Sequence, residues 1–212
     1  MKPVVALIDY EMGNLHSVAK ALEKAGADVR VTSSAGMIRK ADGVVLPGVG
    51  AFGEAVKRLV SKKLVSPISE TLSRNRPFLG ICLGLQLLFE RSEESLRTKG
   101  LGFFKGENIR FHMSSHRRLK VPHMGWNTFT CGPASETKAL RDVKPGRYFY
   151  FVHSFYPVPR DSGLIATRTQ YGSSFCSSVA KGRIFASQFH PEKSGEQGQI
   201  ILRNFVKECV PC

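Results

Sequence analysis

Cys82 stands in the stretch Phe78–Phe89, FLGICLGLQLLF, where an apolar run is broken at Gly80 and followed by the cysteine and Gly84. Leu85, Leu87, Leu88 and Phe89 then continue as the start of a buried helix. A strand that turns abruptly into a helix leaves its turn residue pointing out of the sheet edge, and small neighbours at i−2 and i+2 permit the strained backbone. This is a nucleophile elbow with cysteine in place of serine. A thiol at a helix N-terminus also feels the positive end of the helix dipole, which favours its ionised form. The plainer reading is a small hydrophobe filling the core, as free cysteines often do.

A cysteine nucleophile needs a base that takes a proton and returns it to the leaving group. Six histidines are available, and sequence distance does not choose among them. His190 is marked by its setting, ASQFHPE: it ends an apolar strand, Pro191 stops the ladder, and Glu192 can return to the second imidazole nitrogen and set the tautomer. The PGVG stretch, Pro47 to Gly50, reads either as ordinary turn glycines or as backbone open to a ligand. One amide there, paired with that of Leu83, could hold the oxyanion of a tetrahedral intermediate. Together the three motifs point to acyl transfer. A stand-alone cysteine peptidase or hydrolase on the same elbow is the rival enzyme.

The elements that must position these residues follow a regular order. Residues 3–9 read as a strand, and Asn14 caps a helix with Leu15, Val18, Ala19 and Leu22 on one face, ending near Gly26. Strands follow at 28–32 and 43–46, then helices with a stripe at Phe52, Ala55, Val56 and Leu59 and from about 67 to 73, leading into the elbow strand. This alternation predicts an α/β fold, a central mostly parallel sheet flanked by helices. After residue 100 the pattern turns antiparallel, with strands expected at 102–111, 126–130, 148–156, 164–171, 175–180 and 183–189, and a last helix over 195–207. Residues 1–212 read as one domain, without repeats or low-complexity linkers.

With 42% hydrophobic and 23% charged residues, the 212-residue chain has the balance of a soluble globular protein. No apolar stretch is long enough for a signal-peptide core or a membrane span. Five scattered cysteines and no secretory signal suggest a reduced, cytoplasmic setting. Cys209 and Cys212 form a C-x-x-C without a second ligand pair, so no metal is expected. The net charge of +14 is compatible with nucleic acid, an acidic partner or a solvated basic surface. Its densest group, His116-Arg117-Arg118 with Lys120, is short, and no nucleic-acid-binding motif accompanies it, so a basic nucleic-acid-binding protein is the weaker alternative.

The motifs DYEMGNL, LPGVGAFG, GICLGLQLLF, PHMGWN, YFVHSFY and QFHPEKS run almost end to end. In them the chain resembles the class I, triad-type glutamine amidotransferases (flavodoxin-like in fold), and more narrowly the glutaminase subunits of imidazole glycerol phosphate synthase in histidine biosynthesis. Leu85 helps the choice, since anthranilate and carbamoyl-phosphate relatives typically carry histidine there. The resemblance implies that Cys82 attacks the side-chain amide of glutamine, that His190 protonates the departing ammonia and that Glu192 orients His190. It implies an oxyanion hole from the Val49 and Leu83 amides, and a glutamine pocket from Gly50, Gln86 and the backbone at Ser154 and Phe155. It also implies that Asn14, Trp126, Tyr150 and Lys193 face a cyclase partner subunit, which receives the ammonia, with no cofactor. Two positions depart from the family pattern: Glu11 stands where glycine is usual, so the turn there is expected to differ, and Phe155 stands where tyrosine is usual.

Overall fold

The computed structural model describes residues 1–112, 119–144 and 146–210. In its first half, strands β1 (Val4–Ile8), β2 (Asp28–Thr32), β3 (Gly43–Leu46) and β4 (Phe78–Ile81) alternate with helices α1 (Leu15–Lys24), α2 (Ala35–Lys40), α3 (Phe52–Ser61) and α4 (Val65–Ser73). Helix α1 starts where Asn14 Oδ1 accepts the Ser17 N–H at 3.2 Å, satisfying one of the first-turn donors that have no partner within the helix. The short α2, capped by Ser34, has no counterpart in the sequence reading. Its AGMIRK offers one buried residue, Ile38, too little for a helical stripe to stand out.

Beyond the elbow come α5 (Leu83–Gln86), β5 (Arg91–Ser92), β6 (Gly106–Arg110), β7 (His123–Asn127), β8 (Thr130–Cys131), β9 (Phe149–His153) and β10 (Phe155–Pro159). The chain ends with β11 (Ile165–Tyr171), β12 (Ser173–Lys181), β13 (Ile184–Ser187) and α6 (Gly195–Cys209). Eight strands form the main sheet in the order β2-β1-β3-β4-β13-β12-β11-β8. From β2 to β13 all neighbours are parallel, and the remaining pairs are antiparallel. The central strands are buried on both faces, which is why β3 and β4 read as unbroken apolar runs. Ala6, Ile8, Val44, Leu46 and Phe78 face a core shared with α2, α3 and α4, while Val5, Leu7, Val45, Leu79 and Ile81 face one shared with α1 and α6.

Four expectations are corrected. The run 148–156 is two strands, broken at Ser154 because β9 pairs with β7 while β10 pairs with β6 in a separate sheet. The strand expected at 126–130 splits likewise into β7 and β8, and the one at 102–111 shortens to β6. The helix after Cys82 is a single turn, so the dipole it offers the sulfur is small. Residues 116–118 of the basic cluster, and Cys212 of the C-x-x-C, lie outside the described residues. Cys209 is buried and donates its thiol to Phe205 O at 3.2 Å. Among the described residues no helix is long and apolar enough to cross a membrane.

Candidate active site

Strands β4 and β13 are adjacent, parallel and in register, with Ile81 opposite Ser187. Their C-terminal ends therefore emerge side by side, where open α/β sheets place their ligand crevices. Cys82 follows β4 directly, and its N–H donates to Ser187 O at 2.7 Å, tying the elbow to the strand that leads to His190. Cys82 has φ +54° and ψ −107°, a conformation that L-residues rarely adopt. Its glycine neighbours serve close packing as well as turning. A Cβ on Gly84 would run into the Leu46 carbonyl, and one on Gly80 would crowd Ala186 Cβ.

His190 Nδ1 meets Glu192 Oε1 at 2.8 Å, with both side chains at most 3% exposed. A carboxylate accepts only, so Nδ1 carries the proton and Nε2 is left as the working nitrogen. Nε2 is buried and makes no hydrogen bond to the described residues, and neither does Glu192 Oε2. Burial by itself would lower His190, but the negative charge of Cys82 and then the Glu192 carboxylate outweigh it and push it up to about 10. The backbone around them is also fixed: His190 N–H donates to Tyr150 O, and Ser194 Oγ donates to His190 O.

Cys82 opens into a cleft of about 360 Å³ lined by Val49, Gly50, Leu83, Gln86, Glu94, Pro122, Val152, His153, Ser154 and Phe155. Every residue expected to bind glutamine or the oxyanion lines it, while His190 and Glu192 are not among its lining residues. Gln86 Nε2 donates to Phe155 O at 2.9 Å and to Gln188 Oε1 at 3.0 Å. Both its hydrogens are spent, so it offers a ligand only its Oε1 acceptor. The Leu83 N–H is directed at Gly48 O, 3.4 Å away, a long hydrogen bond that turns a carbonyl, not the Val49 amide, toward the expected oxyanion site.

Glu94 was not singled out in the sequence. It lies in the cleft, and its Oε2 accepts the Phe52 N–H at 2.7 Å, which fixes the carboxylate at the start of α3. Beside Glu93 in the polar stretch RSEESL, it carries no sequence signal of its own. Two further histidines, His123 and His153, have no distinguishing sequence context. Both are buried and joined Nδ1 to Nε2 at 3.1 Å, and His153 Nδ1 meets Phe155 O at 2.9 Å.

Of the four residues expected at a docking face, three converge. Trp126 packs edge-on against Tyr150 at 6.0 Å, and Lys193 Nζ lies 5.6 Å from the Tyr150 ring centre. Asn14 is exposed at the start of α1, which packs beside the 3₁₀ turn Pro191–Lys193. Glu11 keeps the glycine-type backbone, with φ +66°, and pairs with Arg58 and Lys62 at 2.5 and 2.9 Å.

An elbow cysteine, a strand-end histidine and its carboxylate thus stand together at the crevice of a mixed α/β sheet flanked by helices. PurLQS from Thermotoga maritima has this fold: the alignment covers 98% of this chain and 99% of that one, with a TM-score of 0.72 at 20% identity. The chain belongs to the family Glutamine amidotransferase class-I, whose family model matches residues 6–209. Within it, the chain is similar to the imidazole glycerol phosphate synthase subunit HisH of Thermosynechococcus vestitus, 48% identical over 205 residues and 96% of both proteins. The HisH subunit of Aquifex aeolicus is 46% identical over 209 residues, 98% of this chain and 97% of that protein.

Proposed function

We propose that this chain is the glutaminase subunit of an imidazole glycerol phosphate synthase, working in the cytoplasm and handing ammonia to a cyclase partner for histidine biosynthesis. The observation that carries the chemistry is the convergence of Cys82, His190 and Glu192 at the ends of paired strands β4 and β13. Cys82 Sγ attacks the side-chain amide carbon of glutamine. The C–N bond breaks as the His190 proton passes to the nitrogen, which leaves as ammonia, and a thioester remains. Water then attacks, His190 takes its proton, and the C–S bond breaks to give glutamate. Glu192 holds His190 in the required tautomer throughout.

The cleft suits an amino-acid substrate. At about 360 Å³ it is near the lower end of ligand pockets, roughly 300–1,000 Å³, which favours glutamine over the extended groove a peptidase needs. Gln86 Oε1 and the Glu94 carboxylate offer acceptors to an α-ammonium group, while Gly50, Ser154 and Phe155 contribute to the remaining wall. The oxyanion hole needs a further step. Rotating the Gly48–Val49 peptide would release the Leu83 N–H and turn the Val49 N–H inward, because the carbonyl and N–H of a peptide point opposite ways. Gly48 supplies one side of that bond, and Gly50 follows Val49 on the other. A resting state with one donor occupied fits a glutaminase that is slow until a partner docks on Trp126, Tyr150, Lys193 and Asn14.

The test is glutamine hydrolysis measured for the chain alone, with the cyclase, and with the cyclase plus its nucleotide ligand. Activity should rise across the three. Cys82→Ser should abolish glutamine-dependent synthesis by the complex while synthesis from free ammonia continues. Undiminished hydrolysis by Cys82→Ser would overturn the assignment, and full activity of the chain alone would overturn the dependence on a partner.

A further inference from the structure

Gln188 is wholly buried at the end of β13, two residues before His190, and the triad chemistry makes no use of it. Its side chain bridges two others: Oε1 accepts from Gln86 Nε2 at 3.0 Å, and Nε2 donates to Cys82 Sγ at 3.5 Å. The direction of this bridge is forced. The Phe155 carbonyl can only accept, so the Gln86 atom facing it must be Nε2. The second hydrogen of that nitrogen needs an acceptor, which fixes Gln188 Oε1 toward Gln86 and Nε2 toward the sulfur. A flipped Gln188 would set two NH₂ groups against each other and an oxygen against a thiolate.

Among the described residues the sulfur makes one other hydrogen bond, to Val152 O at 3.8 Å. That carbonyl can accept from a thiol and has nothing to offer a thiolate. Gln188 is the opposite case: its donor favours the charged form, and hydrogen bonds to ionised groups are the stronger kind. With α5 only one turn long, a directed N–H is a more substantial source of positive potential than the helix dipole.

We infer that Gln188 is a positioning residue for the nucleophile, a fixed donor that holds the Cys82 thiolate in place and ties it through Gln86 to the backbone of the glutamine cleft. The inference rests on the glutaminase reading for the role of Cys82, but its test does not depend on turnover. The full chain is treated with iodoacetamide across pH 5–10, and the Cys82 peptide is followed by mass spectrometry, separately from the other cysteines. In Gln188→Met, which keeps the size and removes the donor, the midpoint of the rate profile should move up by about one pH unit. At pH values below the midpoint the rate should fall about tenfold, with an unchanged plateau. Gln188→Glu, which faces the sulfur with a carboxylate, should move it further. Profiles that coincide with wild type in folded variants overturn the inference.

Should both variants fail to fold, the wild-type protein carries the test by NMR. The Gln188 side-chain amide signals should titrate with the Cys82 alkylation midpoint, and this titration should vanish in Cys82→Ala. Signals that titrate identically in Cys82→Ala, or do not titrate in wild type, overturn the inference too. Failure of the glutaminase reading would show separately, as glutamine hydrolysis that survives Cys82→Ser.

Discussion

His190→Ala should cost more than Glu192→Ala, because the first removes both proton transfers and the second leaves an imidazole that is sometimes well placed. Loss of general acid–base catalysis is worth about 10²–10⁴-fold, and steady-state glutaminase rates at matched folding would measure both. Greater damage in the Glu192 variant would reverse the roles. Cys82 supports a second prediction, about stability. Its positive φ is a strain that alanine retains and glycine relieves, so Cys82→Gly should unfold at a higher temperature than Cys82→Ala, by about 1 kcal/mol or more. Equal melting temperatures would mean that the elbow backbone is relaxed. Glu11 makes a related point: a residue can occupy a glycine-type conformation when its side chain finds partners, here Arg58 and Lys62.

The elbow turn packs on β3 with almost no clearance, so Gly84→Ala should destabilise the protein by on the order of 3 kcal/mol, read as a shift in the urea midpoint. A wild-type midpoint would contradict that packing. Strands β1, β3 and β4 were legible because burial on both faces makes each a continuous apolar run. The strand-end positions of Cys82 and His190 were legible for a related reason, since each follows a largely apolar strand, whereas their roles came only with the family resemblance. Pairing was not legible. Nothing in YFVHSFY says that β9 joins β7 while β10 joins β6, since both halves have the same β-forming residues. Glu94, His123 and Gln188 escaped notice because their roles depend on neighbours about 30 to 100 residues away in sequence.

At the scale of the whole molecule, the buried His123–His153 pair makes stability depend on acid. Burial pushes His123 down to about 4, and burial first, then the neighbouring histidines, pushes His153 down to about 3, against 6.5 when unfolded. Below 6.5 the unfolded chain binds protons that the folded one refuses. The contribution is therefore fully present above 6.5 and is lost as pH falls toward about 4 and then 3. His190, raised above 6.5, has the opposite sign and its contribution is lost only as pH rises through about 10, so it does not offset this loss. Unfolding free energies should thus decline between pH 6.5 and 4, on the order of 1.4 kcal/mol per pH unit for each histidine that stays neutral. A flat profile over that range would show that the pair is not held neutral.

The strand pair β7–β9 has a different consequence for the free chain. Met124 and Trp126 project from the same side of β7 with 64% and 56% of their surfaces exposed, and Tyr148 beside β9 has 60%. Until something covers them, these apolar side chains can meet those of another copy. The charge of +14 opposes that encounter by long-range repulsion, so the protein behaves as a colloid kept dispersed by its own charge. Salt shortens the reach of that repulsion, from about 10 Å at 0.1 M to about 3 Å at 1 M. Sedimentation of the free chain should accordingly show self-association growing with salt, and Trp126→Ser should diminish it. A subunit built this way keeps best in dilute buffer and becomes tolerant of salt once its face is occupied.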